Sequence, residues 1–333
     1  MDYYVTYYRR PYYEVGDTPE QRRKKYETSR NRRNTFLVQD RRCNYSLDYA
    51  LLKQLYGHDV CNLRQQYTKF TIPKRTGGVR VIEAPPEELK LLQKNLLKEL
   101  YKGGVLTHDC AYGFVSKRNC KQALEVHQRN KSRWFLKMDF KNFFPSFTKE
   151  IIFKNFDRLS KLCLPANDLG LFVDAVTSSD DRLVQGAPTS PYIANLCMIP
   201  FDYAMDKYCK EHDLVYTRYA DDVLISGKEK FDWREVGTFL LNTLSSLGYN
   251  TLHINPSKTR FGSSNGANWN LGIMYNQELN LTVGHKTKHL AKIIAHKWDT
   301  LSDEEKATWR GKFAYYRAIE PEYFSQERFA VLN

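Results

Sequence analysis

The sequence predicts an α+β protein built in two or three lobes, and three observations carry that expectation. Two pairs of β-branched and aromatic runs double back across short turns, one around Arg75-Thr76-Gly77-Gly78 and one around Ala220-Asp221-Asp222, the pattern of antiparallel hairpins. Apolar residues at helical spacing gather in separate stretches: after Pro86, after Ser190, from about Trp233 to Leu247, and from His285 onward. The 333 residues, 42% hydrophobic and 27% charged, suffice to bury a sizeable core and are too apolar for a disordered tail.

Taken in order, the stretch Met1 to Asn44 is polar and basic, with Arg9, Arg10, "QRRKKYETSRNRR", Arg41 and Arg42, and reads as an arm suited to a nucleic-acid backbone. The first hairpin follows with a basic tip at Lys74, Arg75 and Arg80. Leu89, Leu92, Leu96 and Leu97 then mark a helix that Gly103 and Gly104 stop. "RWFLKMDF" predicts a strand from Arg133 to Met138 that delivers Asp139 at its end. Ser190 as N-cap and Pro191 as first helical residue predict a helix running to about His212. "LVYTRYADDVLIS" is strand, turn and strand, with Asp221 and Asp222 near the apex. A helix, the short strand "TLHI" and "NPSKTRF" come next. The C-terminal tail is helical, and Ser302 with Glu305 has the spacing of a capping box.

The charge balance narrows the function. Lys and Arg number 51 against 38 Asp and Glu, a formal charge of +13, which points to a polyanionic partner, nucleic acid before all others. The 23 tyrosines make base stacking available. Seven cysteines, without a Cys-x-x-Cys pair, argue against a disulfide framework and a zinc site. The absence of a long apolar run or signal peptide predicts a soluble cytoplasmic protein with no membrane partner.

Asp139, Asp221 and Asp222 at strand ends of one sheet would crowd three carboxylates, and like charges that close disfavour ionisation unless a cation stands between them. Hard divalent ions prefer such oxygens. Two of them about 4 Å apart clamp the attacking and leaving oxygens of an in-line displacement, so the reaction class is phosphoryl or nucleotidyl transfer.

At these residues the sequence resembles the bacterial retron-type reverse transcriptases, from about Lys69 to Phe324. "FTIPKRTGGVRVI" is similar to the fingers hairpin of that family, "KMDFKNFFPSF" to its first palm motif, "QGAPTSPYIANL" to the second, "YADD" to the third, "NPSKTRF" to the fourth and "NWNLGIMY" to the primer-grip hairpin. All six stand in the family's order, which independent chance does not produce. "WRGKFAYYRAIEPEYF" is similar to the helical thumb.

The resemblance implies a right-hand polymerase with fingers, a palm made of a ferredoxin-like antiparallel sheet with the YADD hairpin, and a helical thumb. Its divisions are a basic arm over 1–45, fingers over 46–135, palm over 136–284 and thumb over 285–333. Asp139 and Asp221 are then expected to bridge two Mg²⁺ ions, with Asp222 in support and Phe140 alongside as a further metal and nucleotide contact. Lys74, Arg75 and Arg80 are expected to grip the triphosphate, and Gln185 and Gly186 to line the nucleotide pocket. Phe144 is expected to lie under the sugar as a gate against a 2′-hydroxyl, Lys258 to give a proton to the leaving pyrophosphate, and Leu271 and Gly272 to form the primer grip.

The implied partners are a noncoding RNA template, nascent DNA and deoxynucleoside triphosphates, with an effector protein or a second copy as further candidates, and the implied setting is anti-phage defence. Retron enzymes carry Asn-Ala-x-x-His before the first palm motif and Val-Thr-Gly after the fourth. Here "ALEVH" at 123–127 and "NLG" at 270–272 keep only His127 and Gly272, a pattern that suits other bacterial reverse transcriptases. The competing reading is a polymerase-fold module that recruits RNA or a partner without chemistry. Two further readings, RNA synthesis and priming from Tyr3, Tyr4, Tyr7, Tyr8, Tyr12 or Tyr13, are weaker: Phe144 disfavours the first, and aromatic packing accounts for the tyrosines.

Overall fold

The computed structural model describes residues 5–7, 34–37, 45–74, 77–158, 162, 164–264 and 269–332. Arg75 and most of the basic arm, including Tyr3, Tyr4, Tyr8, Tyr12 and Tyr13, lie outside the described residues. Within the arm, Val5–Tyr7 (β1) and Asn34–Leu37 (β2) pair antiparallel. Helices Tyr45–Leu55 (α1) and Val60–Leu63 (α2) lead into the basic hairpin, Thr68–Pro73 (β3) and Val79–Ala84 (β4). Gly77 and Gly78 both take positive φ, 87° and 80°, which lets the turn close with Lys74 N–H on the Gly78 carbonyl at 3.0 Å. Glu87–Lys102 (α3) buries Leu89, Leu92, Leu96 and Leu100 on one face and stops at Gly103.

Cys120–Arg129 (α4) opens with a capping box between Asn119 and Gln122. The strand after it, Trp134–Lys141 (β5), outruns the expected end at Met138, so Asp139 lies inside a strand. Its last residues are held by a partner the local sequence does not reveal: Phe140 pairs with Ile254 and Lys141 with His253. Helices Lys149–Arg158 (α5) and Ala166–Val176 (α6) follow. The single helix expected over 190–212 is two, Ser190–Cys197 (α7) and Ile199–Glu211 (α8), parted at Met198. Pro200 explains the break, because it has no N–H to donate and its ring clashes with the carbonyl four residues back. Thr189, not Ser190, is the N-cap residue of α7, and Ser190 Oγ instead accepts from Val184 N–H at 3.3 Å.

The central sheet runs β6 (Leu214–Tyr219), β7 (Asp222–Gly227), β5, β8 (His253–Ile254), and β9 (Arg260–Ser263) also pairs with β5. The helix Trp233–Leu247 (α9) occupies the residues expected, between Asp232 as N-cap and Gly248 at φ 77°. Alternation gives the sheet two unlike faces. Met138, Phe140, Val223 and Ile225 point into a large core shared with α1, α3 and α5 to α9. Phe135 and Leu224 point the other way, into a second cluster with Leu124 of α4, Ile273, Tyr275 and the C-terminal helices. That cluster contains the small sheet Trp269–Asn270 (β10), Ile273–Tyr275 (β11) and Leu281–Thr282 (β12), followed by His285–His296 (α10), Asp303–Ile319 (α11) and Pro321–Phe324 (α12). Ser302 and Glu305 form the expected capping box at the start of α11. Phe135 stacks on Tyr275 with centroids 4.9 Å apart, so the tail helices share a core with the second face of the sheet and leave its upper end to Lys137, Asp139 and Asp222.

Candidate active site

Antiparallel register brings the acidic residues together. Asp139 of β5 is directly opposite Asp222 of β7, which places both side chains on the same face. Tyr219 pairs with Asp222, leaving Ala220 and Asp221 as a two-residue hairpin loop. Only the first of these has positive φ, 56° at Ala220, as in a type II′ turn. A non-glycine residue there costs about 1–2 kcal/mol, so the surroundings must impose it. Phe140 N–H donates to the Asp221 carbonyl at 3.0 Å and ties the turn to β5.

A buried network beneath the turn does the imposing. Arg218 and Asp202 are both fully buried, and the guanidinium holds the carboxylate by two bonds, Nε to Oδ1 at 2.7 Å and Nη2 to Oδ2 at 2.6 Å. Burial works against the charge on Arg218, but the Asp202 carboxylate outweighs it and raises its pKa. Nη1 reaches Asn195 Oδ1 at 2.9 Å and the Ala220 carbonyl at 3.0 Å. Tyr216 Oη donates to Asp202 Oδ1 at 2.6 Å. From the side, Gly113 presses so closely that a Cβ on it would come within 2.4 Å of Ala220 N.

The three carboxylates expected to gather stand close enough for Asp139 and Asp222 to act on Asp221, and two of them carry ammonium partners. Lys258 Nζ is 2.8 Å from Asp139 Oδ1, and Lys137 Nζ is 3.0 Å from Asp222 Oδ1. These ammonium groups pair with two of the three carboxylates, and no ready-made cage of three His, Cys, Asp or Glu side chains exists among the described residues. Among the described residues Asp221 has no ammonium or guanidinium within ion-pair distance. Burial first, then the charges of Asp222 and Asp139, push its pKa up to about 6, although the Lys258 charge acts on it from further away and lowers its pKa slightly. The set of hard oxygens therefore suits a divalent cation, which would relieve that repulsion. The Lys258 side chain is 58% exposed, so its pair with Asp139 is cheap to break.

The other expected residues fall into place unevenly. Lys74 and Arg80 are exposed on the hairpin. Phe144 is half-buried in the short turn after β5, its ring 5.6 Å from Phe143. Phe140 needs a correction of emphasis: its ring is 1% exposed and packs on Phe143 and Phe201, so anything it offers a nucleotide or metal comes from its main chain. Gly186 does permit a close approach, but of protein. Glu83 N–H donates to the Gln185 carbonyl at 2.7 Å, and a Cβ on Gly186 would come within 2.5 Å of the Glu83 carbonyl oxygen. Leu271 and Gly272, at φ 54° and 79°, form the turn of the β10–β11 hairpin, and Leu271 lines a small cavity with Lys137, Tyr219 and Asp222.

His127 has a structural task. It is fully buried, and its ring nitrogens meet Ser226 Oγ at 2.6 Å and Thr217 Oγ1 at 2.8 Å, fastening α4 to β6 and β7. Burial holds its pKa down at about 3, so the ring is neutral. Sequence reasoning missed Lys137, Asn195, Asp202 and Arg218. The available signal was a charged residue, Arg218, alternating into the apolar face of a predicted strand.

An antiparallel sheet that presents carboxylates from a central strand and an adjoining hairpin turn, flanked by a basic hairpin and a helical tail, is the palm of a nucleic-acid polymerase. The family described as reverse transcriptase (RNA-dependent DNA polymerase) matches residues 72–297. The retron Ec83 reverse transcriptase of Escherichia coli is 29% identical over 269 residues, covering 78% of this chain and 85% of that protein. The retron Ec73 reverse transcriptase of the same species is 28% identical over 295 residues, covering 85% and 93%, and the retron Mx65 enzyme of Myxococcus xanthus is 29% identical over 280 residues, covering 78% and 62%. Among solved structures, telomerase from Candida albicans matches with a TM-score of 0.45 and 14% identity, over 69% of this chain and 50% of that one. The chain belongs to the reverse transcriptase family, and the relatives it resembles are bacterial retron enzymes. It is an RNA-directed DNA polymerase, acting on an RNA template and nucleotides, in a family that uses divalent metal ions.

Proposed function

We propose that this reverse transcriptase copies a dedicated noncoding RNA into DNA with two Mg²⁺ ions, in the bacterial cytoplasm and in the service of anti-phage defence. The observation that carries the site reading is the register pairing of Asp139 with Asp222 beside an Asp221 whose pKa is pushed to about 6. Asp139, Asp221 and Asp222 would hold the ions, which when bound supply positive charge to the triphosphate and to the attacking hydroxyl. Lys74, Arg75 and Arg80 receive the phosphates and offset their charge. Phe144 borders the sugar, Gln185 and Gly186 seat the basic hairpin against the nucleotide site, and Leu271 and Gly272 steady the primer strand. Lys258, whose pKa is raised by its hydrogen bond to Asp139, stays protonated at neutral pH and can give its proton to the departing pyrophosphate. The division into arm, fingers, palm and thumb at 45, 135 and 284 belongs to the same proposal, as does an effector protein or second copy as partner.

Purified protein with its copurifying RNA, Mg²⁺ and labelled deoxynucleotides should extend DNA. Asp221→Asn should reduce the product at least about a hundredfold, since even groups that only support a metal ligand are worth 10- to 100-fold. Undiminished product from Asp221→Asn would remove the site assignment. Sequencing the copurified RNA tests the template, and plaque counts of cells carrying the wild type or Asp139→Asn test the defence role.

A further inference from the structure

Phe114 is held in a conformation that its own packing does not justify. Its φ is +59°, a left-handed value that is an outlier for a bulky side chain. The backbone leading into it is clamped. Asn195 Nδ2 donates to the Gly113 carbonyl at 2.8 Å, Gly113 lies against the Ala220 turn, and Arg118 Nη1 donates to the carbonyls of Asp109 at 2.6 Å and Ala111 at 2.8 Å. Residues kept in such regions persist where the surroundings over-determine them, and they cluster at functional sites. Burial is not the gain, because Phe114 is 50% exposed. The clamp sets the ring 5.9 Å from that of Phe144, at an angle of 49°, so a half-exposed ring and a half-buried one meet as a tilted pair next to the Gly113 contact with the acidic turn.

We propose that Phe114 and Phe144 form a two-walled aromatic cleft for the incoming deoxynucleotide, with Phe114 a specificity-determining residue that discriminates against ribonucleotides. This rests on the reading of Phe144 as bordering the sugar. A deoxyribose presents a C2′ methylene that loses little on entering a hydrocarbon cleft, whereas a 2′-hydroxyl loses its water there without gaining a partner. An apolar pocket rejects an added hydroxyl by up to about a hundredfold, and one of two walls accounts for about a tenfold share.

The test compares wild type, Phe114→Gly and Phe114→Tyr as full-length protein with copurified RNA, measuring steady-state incorporation of deoxy- and ribonucleotides, KM for the primer–template, and urea unfolding. Glycine takes φ +59° freely, so Phe114→Gly should unfold no earlier than wild type. Its KM for deoxynucleotide should nonetheless rise about tenfold and its discrimination against ribonucleotide fall about tenfold, with KM for primer–template unchanged; Phe114→Tyr should keep both properties. Unchanged nucleotide KM and discrimination in Phe114→Gly would overturn the proposal. So would a rise in primer–template KM alone, which would assign the ring to the nucleic acid, or a loss of activity that only follows a loss of stability. Wild type that incorporates no deoxynucleotide would refute the polymerase reading itself, whereas active wild type with an unaltered Phe114→Gly refutes only this inference.

Discussion

Replacing Arg218 by methionine removes the guanidinium that joins Asp202, Asn195 and the Ala220 carbonyl. Asp202 is left at 0% exposure with the Tyr216 hydroxyl as its remaining side-chain donor in this network. Breaking a buried pair by removing one partner costs about 3–5 kcal/mol, because the surviving charge is uncompensated, while replacing both partners by apolar residues of similar volume is often neutral or stabilising. Arg218→Met should therefore lose about 3–5 kcal/mol in urea denaturation, and the double variant Arg218→Met with Asp202→Leu should recover most of it. Polymerase activity should stay low in both, because the Ala220 carbonyl has lost its donor and the strained turn carrying Asp221 is no longer held. A single variant within about 1 kcal/mol of wild type would refute the claim that this pair carries the turn. A double variant with full activity would refute the claim that the turn needs it.

Three further outcomes follow from the same geometry. Asp221 has its pKa raised from 3.8 to about 6, so its contribution to stability is present in full below 3.8 and lost as pH rises through 6. A divalent ion needs the ionised form, so the metal concentration for half-maximal activity should rise about tenfold per pH unit below 6 and level off above 7; a flat profile from pH 8 to 5 would contradict the shift. Gly186→Ala places a Cβ within 2.5 Å of the Glu83 carbonyl at φ 128° and should cost about 1–3 kcal/mol while raising the nucleotide KM, both readable by urea denaturation and steady-state kinetics. If the +13 charge serves a single-stranded RNA, roughly five neutralised phosphates give a slope of about −3.5 in log K against log salt, close to a hundredfold loss from about 50 to 200 mM; a salt-independent affinity would sever the charge from RNA binding.

Much of the fold was legible because it is decided over a few residues. Gly77-Gly78 marked a turn by permitting positive φ, apolar spacing marked the helix from Trp233 to Leu247, and Ser302 with Glu305 closed a capping box. Pro200 was equally local, and the split at Met198 could have been anticipated from it. The carboxylates were legible as chemistry, since adjacent aspartates between strand-like runs need a reason. Their distribution was less so, because whether Lys137 or Lys258 reaches one of them depends on which strands adjoin.

What the sequence determined by itself was the class of element at each position, the family and its acidic chemistry, because spacing, caps and motif order act through neighbours along the chain. Only the tertiary structure decided that Arg218 must bind a carboxylate 16 positions away, that Gly186 is a glycine because strand β4 crosses over it, and that Phe114 faces Phe144. These contacts join residues far apart in the chain. Their existence follows from how helices and strands fill space together, a property of the packed whole that no local pattern encodes.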